Sequence, residues 1–465
     1  MSLSLSNGTN GNSHNSNGNN ERVQIPQLDA RKRVHNFKEV ELGFSKEQAL
    51  KEASRCLQCA EPSCIQGCPA KIQIRDFIKA LLEGSNGEAI EIIEQSNYFP
   101  KICGRICQQE FQCEGNCILA KSGKAINIGG LERFVGDTHS TSLKPIKANG
   151  QKVAVVGSGP SGLTVAIQLS QLGYDTTVFD SSKTIGGVIK YGVPEFRLPK
   201  KIVESELRKI KKLGVKFSRK QFIGSEQSVI DLLHDGFDAV FVGTGVGEAK
   251  MLEMPGKQLT GIIPAVNFLI AKNLHEKNMI EKGDKVLVIG AGFVGMDAAR
   301  TAMRLGAKEV TVAAFESPKK MTLGIKEIKE AQDEGISFKY LLRAEEFLGE
   351  GIIEAVKLRK LRELEDGTVI DTDDFETIKS SKVLIAIGLR PSIDDKVKQP
   401  LRTEGGKINV DENNMTSIEG IFAAGDAVTG PKTVIAAIAA AKKAALSMHT
   451  FLQKKDLEKK GGKNA

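Results

Sequence analysis

Two glycine patterns, each set between a strand-like and a helix-like run, constrain this chain more than any other feature. Val153-Ala154-Val155-Val156 reads as a short buried strand and runs directly into Gly157-Ser158-Gly159-Pro160-Ser161-Gly162. An apolar helical stretch follows (Leu163, Val165, Ala166, Ile167, Leu169, Leu172), then a strand from Thr176 to Phe179. The plan recurs downstream. Val286-Leu287-Val288-Ile289 leads into Gly290-Ala291-Gly292-Phe293-Val294-Gly295, a helix through Leu305 and a strand Val310-Thr311-Val312. In such a turn the first glycine permits the tight bend, the second lets backbone approach a pyrophosphate, and the third lets helix and strand pack closely. The phosphates then sit on a helix N-terminus, where free N–H groups and the dipole favour anions. One match alone is weak, but here the strand–turn–helix–strand context is met twice. The two patterns start 133 residues apart, which predicts two nucleotide-binding domains rather than a solenoid.

The length of 465 residues leaves room for about three domains. With 40% hydrophobic residues each can bury a core. No uncharged apolar run approaches the ~18 residues of a membrane span, and the N-terminus has no apolar stretch of signal-peptide type. The expectation is a cytoplasmic protein with no membrane contact. Formal charge is +8, of which the tail lysines Lys454, Lys455, Lys459, Lys460 and Lys463 contribute a net +3 against Asp456 and Glu458. There is no Trp, there are four Tyr, and no basic cluster falls inside the folded region, so no nucleic-acid partner is expected. Residues 1–20, with seven Asn, five Ser and three Gly, are expected to be a disordered tail.

All eight cysteines lie between Cys56 and Cys117. They form two groups, Cys56-x2-Cys59-x4-Cys64-x3-Cys68-Pro69 and Cys103-x3-Cys107-x5-Cys113-x3-Cys117. In a reducing compartment such a cluster reads as metal ligation rather than as disulfides. The fourth cysteine followed by proline partly matches bacterial ferredoxins, although the middle spacing is four rather than two. A pair of structural zinc sites is the alternative. The surrounding apolar spacing (Phe77, Ile78, Leu81, Leu82; Ala89, Ile90, Ile92, Ile93) is helical, without a convincing strand.

Asp180 ends the second strand of the first unit, 18 residues past Gly162, where a carboxylate can accept from the ribose hydroxyls of FAD or NAD. The alternative is a turn or cap residue. In the second unit Ala314 holds that place, with Phe315 and Glu316 after it. No arginine follows the strand; Lys319 and Lys320 are near, and Arg300 in the helix is the remaining candidate for a ribose phosphate. This slightly favours NADH over NADPH. Near the C-terminus Ile421 to Asp426 reads as strand, tight turn and acid, with Gly425 letting backbone approach a ligand and Asp426 facing a ribityl chain or a helix turn. No cysteine follows the first fingerprint, which sets aside a disulfide reductase.

Together these motifs resemble the glutamate synthase small subunit family. That family includes the flavoprotein subunit of bifurcating NADH-dependent ferredoxin:NADP oxidoreductases and the N-terminal half of dihydropyrimidine dehydrogenase. The resemblance covers about residues 23–452. It rests on Ala53-Ser54-Arg55-Cys56-Leu57-Gln58-Cys59, Cys103-Gly104-Arg105-Ile106-Cys107, Ile126-Asn127-Ile128-Gly129-Gly130-Leu131-Glu132-Arg133-Phe134, Tyr191 through Lys200, Met296-Asp297-Ala298-Ala299-Arg300, and Gly425 through Pro431. It implies two 4Fe-4S clusters with ligands crossed between the cysteine groups. One would take Cys56, Cys59, Cys64 and Cys117. The other would take Cys68, Cys107, Cys113 and Glu132, leaving Cys103 as a spare buried thiol. It also implies that the Tyr191–Lys200 loop, after Gly186-Gly187, lies beside the flavin. The family's usual Tyr-Arg-Arg run is replaced here by Ala314-Phe315-Glu316, which puts NADPH preference in doubt.

The expected fold is α/β: an N-terminal α-helical iron–sulfur domain, then two Rossmann-like domains, the second inserted in the first. The expected boundaries are 21–145 for the helical domain, 146–275 with 389–453 for FAD, 276–388 for NAD(P), and a basic tail at 454–465. Hinges are expected near Val242–Gly245 and Ala386–Gly388. The expected cofactor-binding set is Gly157, Gly159, Pro160, Gly162, Asp180, Gly187, Tyr191, Arg197, Gly245, Gly290, Gly292, Gly295, Arg300, Gly425, Asp426 and Thr433. Hydride transfer to a flavin needs stacking and distance control rather than a protein acid or base, and none of the six histidines falls in a motif, so no catalytic side chain is expected. The resemblance implies an electron-input module that passes electrons between a nicotinamide, FAD, two 4Fe-4S clusters and a catalytic or ferredoxin-type partner subunit. A bifurcating large subunit is the alternative enzyme, and a zinc-stabilised, non-catalytic nucleotide-binding scaffold is the alternative from another class.

Overall fold

The structure is a computed structural model that describes residues 21–141, 146–224, 227–390 and 401–461. The expected tail at 1–20 lies outside them. The N-terminal part is helical. Helix Ile74–Leu82 shows why: Ile74, Phe77, Ile78 and Leu81 recur at helical spacing, and all are buried. Helices Pro100–Ile106 and Ile128–Thr138 cross with their backbones touching. A Cβ on Gly104 would lie 2.6 Å from the Arg133 amide nitrogen, so only glycine allows that approach. Asn127 caps the second of these helices, its side chain accepting from Gly130 N. This crossing sets the segment carrying Cys103 and Cys107 beside Glu132.

The first nucleotide domain is a five-stranded parallel sheet. Edge to edge it runs Ile421–Ala423, Ala239–Val242, Lys152–Val156, Asp175–Asp180 and Lys216–Arg219. The strand from the C-terminal region therefore pairs with one that precedes it by some 180 residues, and the second nucleotide domain is inserted between them. That domain is a parallel sheet in the order Ile262–Pro264, Lys382–Ile385, Lys285–Ile289, Glu309–Ala313 and Ser337–Lys339. The expected boundary at 276 is corrected. The strand Ile262–Pro264 and helix Ala265–Asn273 belong to the inserted domain, with Phe268 and Leu269 in one core with Val286, Val288 and Ala299. The strand is three residues long and ends in proline, as suits a sheet edge. Such a short run carries almost no periodic signal.

A three-stranded antiparallel sheet (Leu342–Leu348, Ala355–Glu363, Val369–Lys379) covers one face of the second domain. Its Phe347, Val356 and Leu358 pack with Leu287, Ile289 and Val383. The two chain crossings between domains pair as a short ribbon, Glu248–Ala249 against Leu389–Arg390. The C-terminal helix extends from Val434 to Gly461, so the expected basic tail at 454–465 continues a helix as far as it is described. By length and composition alone, its Val434–Glu458 part could cross a membrane. Here Ile435, Ile438, Ala441, Ala444, Ala445, Met448 and Leu452 are buried in the core shared by the helical and first nucleotide domains.

Candidate functional site

The chain folds its cysteines into two groups that do not follow their order in sequence. Cys56, Cys59, Cys64 and Cys117 line one cavity together with Leu57, Pro62, Ile74, Ile78 and Ile118. Burial first, and then the charges Cys117 and Cys56 would carry, push the Cys64 thiol up to about 11. The second group gathers Cys68, Cys103, Cys107, Cys113 and Glu132. Burial pushes Cys68 up to about 11, with Glu132 and Cys107 adding to it. The contact with Cys103 and then burial raise Cys107, while burial and the neighbouring Glu114, Glu132, Cys107 and Cys68 raise Cys113. Cys117 thus sits with the first sequence group, and Cys68 with the second. All eight are free thiols. Among the described residues no three acidic, thiol or imidazole side chains are gathered as a single-ion site.

Glu132 is buried, and among the described residues the one hydrogen bond to its side chain comes from Asn97 Nδ2, at 2.7 Å. Burial pushes its carboxyl up to about 8. Asn97 in turn accepts from Phe99 N at 2.9 Å and stands 3.6 Å from Cys103 Sγ. A buried carboxylate without a cation beside it is costly, and a ring of thiols that resist ionising together asks for positive charge at its centre. Both donor sets fit iron–sulfur clusters. Asn97 was missed from sequence. Its only signal there is an amide between helix Asn86–Glu94 and an aromatic pair.

At the first fingerprint each glycine has a separate reason. Gly157 has φ +102°, a Cβ on Gly162 would meet the Gly157 carbonyl oxygen at 1.9 Å, and a Cβ on Gly159 would meet nothing within 4 Å. That open space lies at the N-terminus of helix Pro160–Ser170, where a pyrophosphate fits. Asp180 does more than the expected ribose contact requires. Its carboxylate accepts from Ser158 N at 2.8 Å, from the Ser158 hydroxyl, and from Ser182 N at 2.8 Å. Ser158 Oγ accepts from Gly186 N at 2.9 Å, which draws in the loop carrying Gly187, and a Cβ on Gly187 would sit 2.7 Å from Gly159 Cα. Burial, then the charge of Asp180, pushes the Tyr191 phenol up to about 12.

Gly425 abuts this turn too, since a Cβ there would meet Ser161 Oγ at 2.8 Å. Burial raises the Asp426 carboxyl to about 6, while Lys432 N donates to it at 3.2 Å. Thr433 Oγ1 accepts from Gln112 Nε2 at 3.2 Å, so the residue before Cys113 touches the start of the C-terminal helix. Gly245, with φ +70°, faces open space.

The second fingerprint opens on a cleft of about 610 Å³ lined by Gly290, Gly292, Phe293, Phe315, Glu316 and Arg343, with Pro431 of the first domain at its far wall. Gly295 packs, its Cβ position 2.1 Å from the Gly290 carbonyl oxygen, while a Cβ on Gly292 would meet nothing. The structure does not bring Arg300 to this cleft, and that expectation is corrected. Arg300 is buried, donates to Glu334 at 2.6 and 3.0 Å, and pairs with Glu330 at 3.0 Å. It lies on the helix face turned towards helix Ile325–Asp333, away from the nucleotide edge. Arg197 is likewise occupied between domains, paired with Asp297 at 2.9 Å and Glu327 at 3.5 Å.

Comparison with known proteins bears on the family and the fold. Residues 33–143 match the family described as dihydropyrimidine dehydrogenase domain II, 4Fe-4S cluster. Residues 151–441 match the pyridine nucleotide-disulphide oxidoreductase family. The glutamate synthase [NADPH] small chain of Azospirillum brasilense is 33% identical over 92% of this chain and 94% of its own length. The chain belongs to the glutamate synthase small chain family. The corresponding protein of Escherichia coli K12 is 32% identical over 93% of this chain and 98% of its own. The NAD-dependent dihydropyrimidine dehydrogenase subunit PreT of Escherichia coli O157:H7 is 31% identical over 87% and 94%. Among solved structures, Mycobacterium tuberculosis FprA in complex with NADPH superposes with a TM-score of 0.57 at 19% identity, over 67% of this chain and 86% of that one, which supports the two-domain nucleotide fold. As a member of the small chain family the protein is a flavin- and iron–sulfur-dependent pyridine nucleotide oxidoreductase. The zinc-scaffold alternative falls with the match to a 4Fe-4S domain.

Proposed function

We propose that this chain takes electrons from a reduced nicotinamide dinucleotide and hands them singly to a partner subunit. When bound, FAD supplies a two-electron acceptor that releases electrons one at a time, and the 4Fe-4S clusters supply one-electron carriers. The chain's own residues bind and align these groups. Gly157, Gly159 and the N-terminus of helix Pro160–Ser170 cradle the FAD pyrophosphate, with Pro160 opening the helix and Gly162 seating it on the strand. Asp180 and Ser158 fix the turn, Gly187 and Tyr191 close over it, and Gly245, Gly425, Asp426 and Thr433 complete its rim. Cys56, Cys59, Cys64 and Cys117 hold one cluster; Cys68, Cys107, Cys113 and Glu132 hold the other. Gly290, Gly292 and Gly295 receive the nicotinamide dinucleotide.

The observation that carries this reading is the Gln112–Thr433 hydrogen bond. It joins the residue beside Cys113 to the start of helix Val434–Gly461, which packs on the fingerprint helix Pro160–Ser170, and this supports an inner cluster lying next to the flavin. The outer group ends at the surface, where Leu57 and Ile118 are more than half exposed. Relatives are named as a small chain or a subunit, in keeping with a catalytic or ferredoxin-type partner. Cysteines gathered for metal ligation rather than paired as disulfides suit a reducing compartment, and we read the protein as cytoplasmic. The test is anaerobic. Adding NADH or NADPH to the purified protein bleaches the flavin band and then yields the electron paramagnetic resonance signal of reduced clusters. Bleaching without that signal, or protein free of flavin and acid-labile sulfide, would overturn it.

A further inference from the structure

We propose that Glu316 selects the nicotinamide dinucleotide that lacks a ribose 2′-phosphate. The inference rests on the reading above for the use of that nucleotide, and on independent geometry for the choice. Strand Glu309–Ala313 is the second strand of the inserted βαβ unit. In this arrangement the end of that strand faces the adenosine ribose. Glu316 lies three residues beyond it and lines the same cleft as Gly292. Phe315, 46% exposed on that wall, offers a flat face for the adenine.

The turn that carries Glu316 is held at several points. Ala314 N donates to Lys339 O at 2.8 Å, Leu342 N to Ala314 O at 3.0 Å, and Leu341 N to Glu316 O at 3.4 Å. Its side chain is different. Among the described residues, no hydrogen bond or ion pair engages the Glu316 carboxylate.

The basic groups nearby are engaged elsewhere. Arg343 also lines the cleft, but its guanidinium is drawn to Asp371 at 2.6 Å and Glu345 at 2.9 Å. Lys320 pairs with Glu363 at 3.2 Å and reaches the Gly367 carbonyl. Arg300 is buried on Glu334, and Lys319 does not line the cleft. Among the described residues that line the cleft, the uncommitted charge is therefore negative. A carboxylate there accepts charge-assisted hydrogen bonds from a 2′,3′-diol. The same carboxylate repels a 2′-phosphate, which carries up to two negative charges.

The test uses redox-inert probes on the flavin-loaded protein. Calorimetric titration should show ADP-ribose binding roughly 10- to 100-fold more tightly than 2′-phospho-ADP-ribose. Glu316→Gln keeps the size and removes the charge. It should bring the two affinities to within a few-fold, partly by tightening 2′-phospho-ADP-ribose, a gain that a misfolded protein could not produce. Glu316→Ser should shift the ratio in the same direction. The proposal is overturned if the wild-type protein binds both probes equally or prefers the phosphorylated one, or if Glu316→Gln leaves the ratio unchanged. Flavin bleaching by NADH and NADPH separates the two layers. A wild-type protein that discriminates between the probes, with neither nucleotide bleaching the flavin, would keep Glu316 as the selector and overturn the electron-input reading.

Discussion

Five side chains, not four, neighbour one another where the inner cluster is proposed: Cys68, Cys103, Cys107, Cys113 and Glu132. Asn97 touches two of them. It donates to Glu132 and stands beside Cys103. Its amide donates to one Glu132 oxygen at 2.7 Å, and among the described residues no hydrogen bond reaches the other. The cysteine spacing could be read from sequence, because ligands to one centre cluster within short loops. Which of the five donors bonds iron could not, because that depends on a helix crossing made possible by Gly104. With Glu132 as the ligand, Cys103→Ala should leave both clusters in place, and Glu132→Ala should remove about half of the protein-bound iron. Iron and acid-labile sulfide analysis on anaerobically purified protein distinguishes the two. Iron lost with Cys103→Ala and kept with Glu132→Ala would move the fourth bond to the thiol. A carboxylate oxygen is also harder than a thiolate and favours the more oxidised iron. The reduction potential of the inner cluster should therefore respond to position 132 and not to position 103.

At the scale of elements, the two fingerprints were legible because each is self-contained: six residues specify turn, ligand approach and helix seating. Their glycines are nonetheless not equivalent, and the difference can be tested. Gly295→Ala places a methyl group about 2 Å from the Gly290 carbonyl oxygen, so backbone must move, at about 3 kcal/mol. Gly292→Ala places it in open space, where only a bound pyrophosphate would meet it. The first variant should lower the thermal midpoint of the protein. The second should leave the midpoint and the flavin content unchanged while weakening ADP-ribose binding by at least about tenfold. Equal destabilisation by both would refute this division of roles. Other elements had no such local code. The strand Ile262–Pro264 is too short to show a period, and its membership in the second sheet is set by pairing with Leu384 and Ile385, more than a hundred residues away. Arg300 looked available to a phosphate because its position in the helix is close to the fingerprint. Its partner Glu334 belongs to a later element, and only the fold shows that they meet.

In the whole molecule, three bodies are locked together at one buried point. Glu334 receives Arg33 Nε at 2.6 Å from the N-terminal segment, and Arg300 and Arg304 at 2.6 Å from the inserted domain. Both of the latter guanidinium groups lie over the ring of Phe196, at 5.1 and 3.9 Å. Phe196 belongs to the first nucleotide domain, beyond its fingerprint, and its carbonyl accepts from Val40 N at 2.9 Å. The paired ribbon of the two interdomain crossings would by itself permit rotation; this cluster opposes it. Burial alone would raise the Glu334 carboxyl, but the hydrogen bonds and charges of Arg304 and Arg300 outweigh it and hold the group down at about 2. A carboxylate depressed in the folded state stabilises above its unfolded value of about 4.5, and that contribution is lost as pH falls towards 2. Glu334→Gln leaves three arginines around a neutral amide, so at neutral pH it should lower unfolding free energy by about 3–5 kcal/mol. The gap from wild type should close between pH 4.5 and about 2, where the wild-type carboxyl also becomes neutral. Urea midpoints of the two proteins, followed by circular dichroism across that range, measure it. A gap that is absent at pH 7, or that widens on acidification, would show that the three bodies are held together by other contacts.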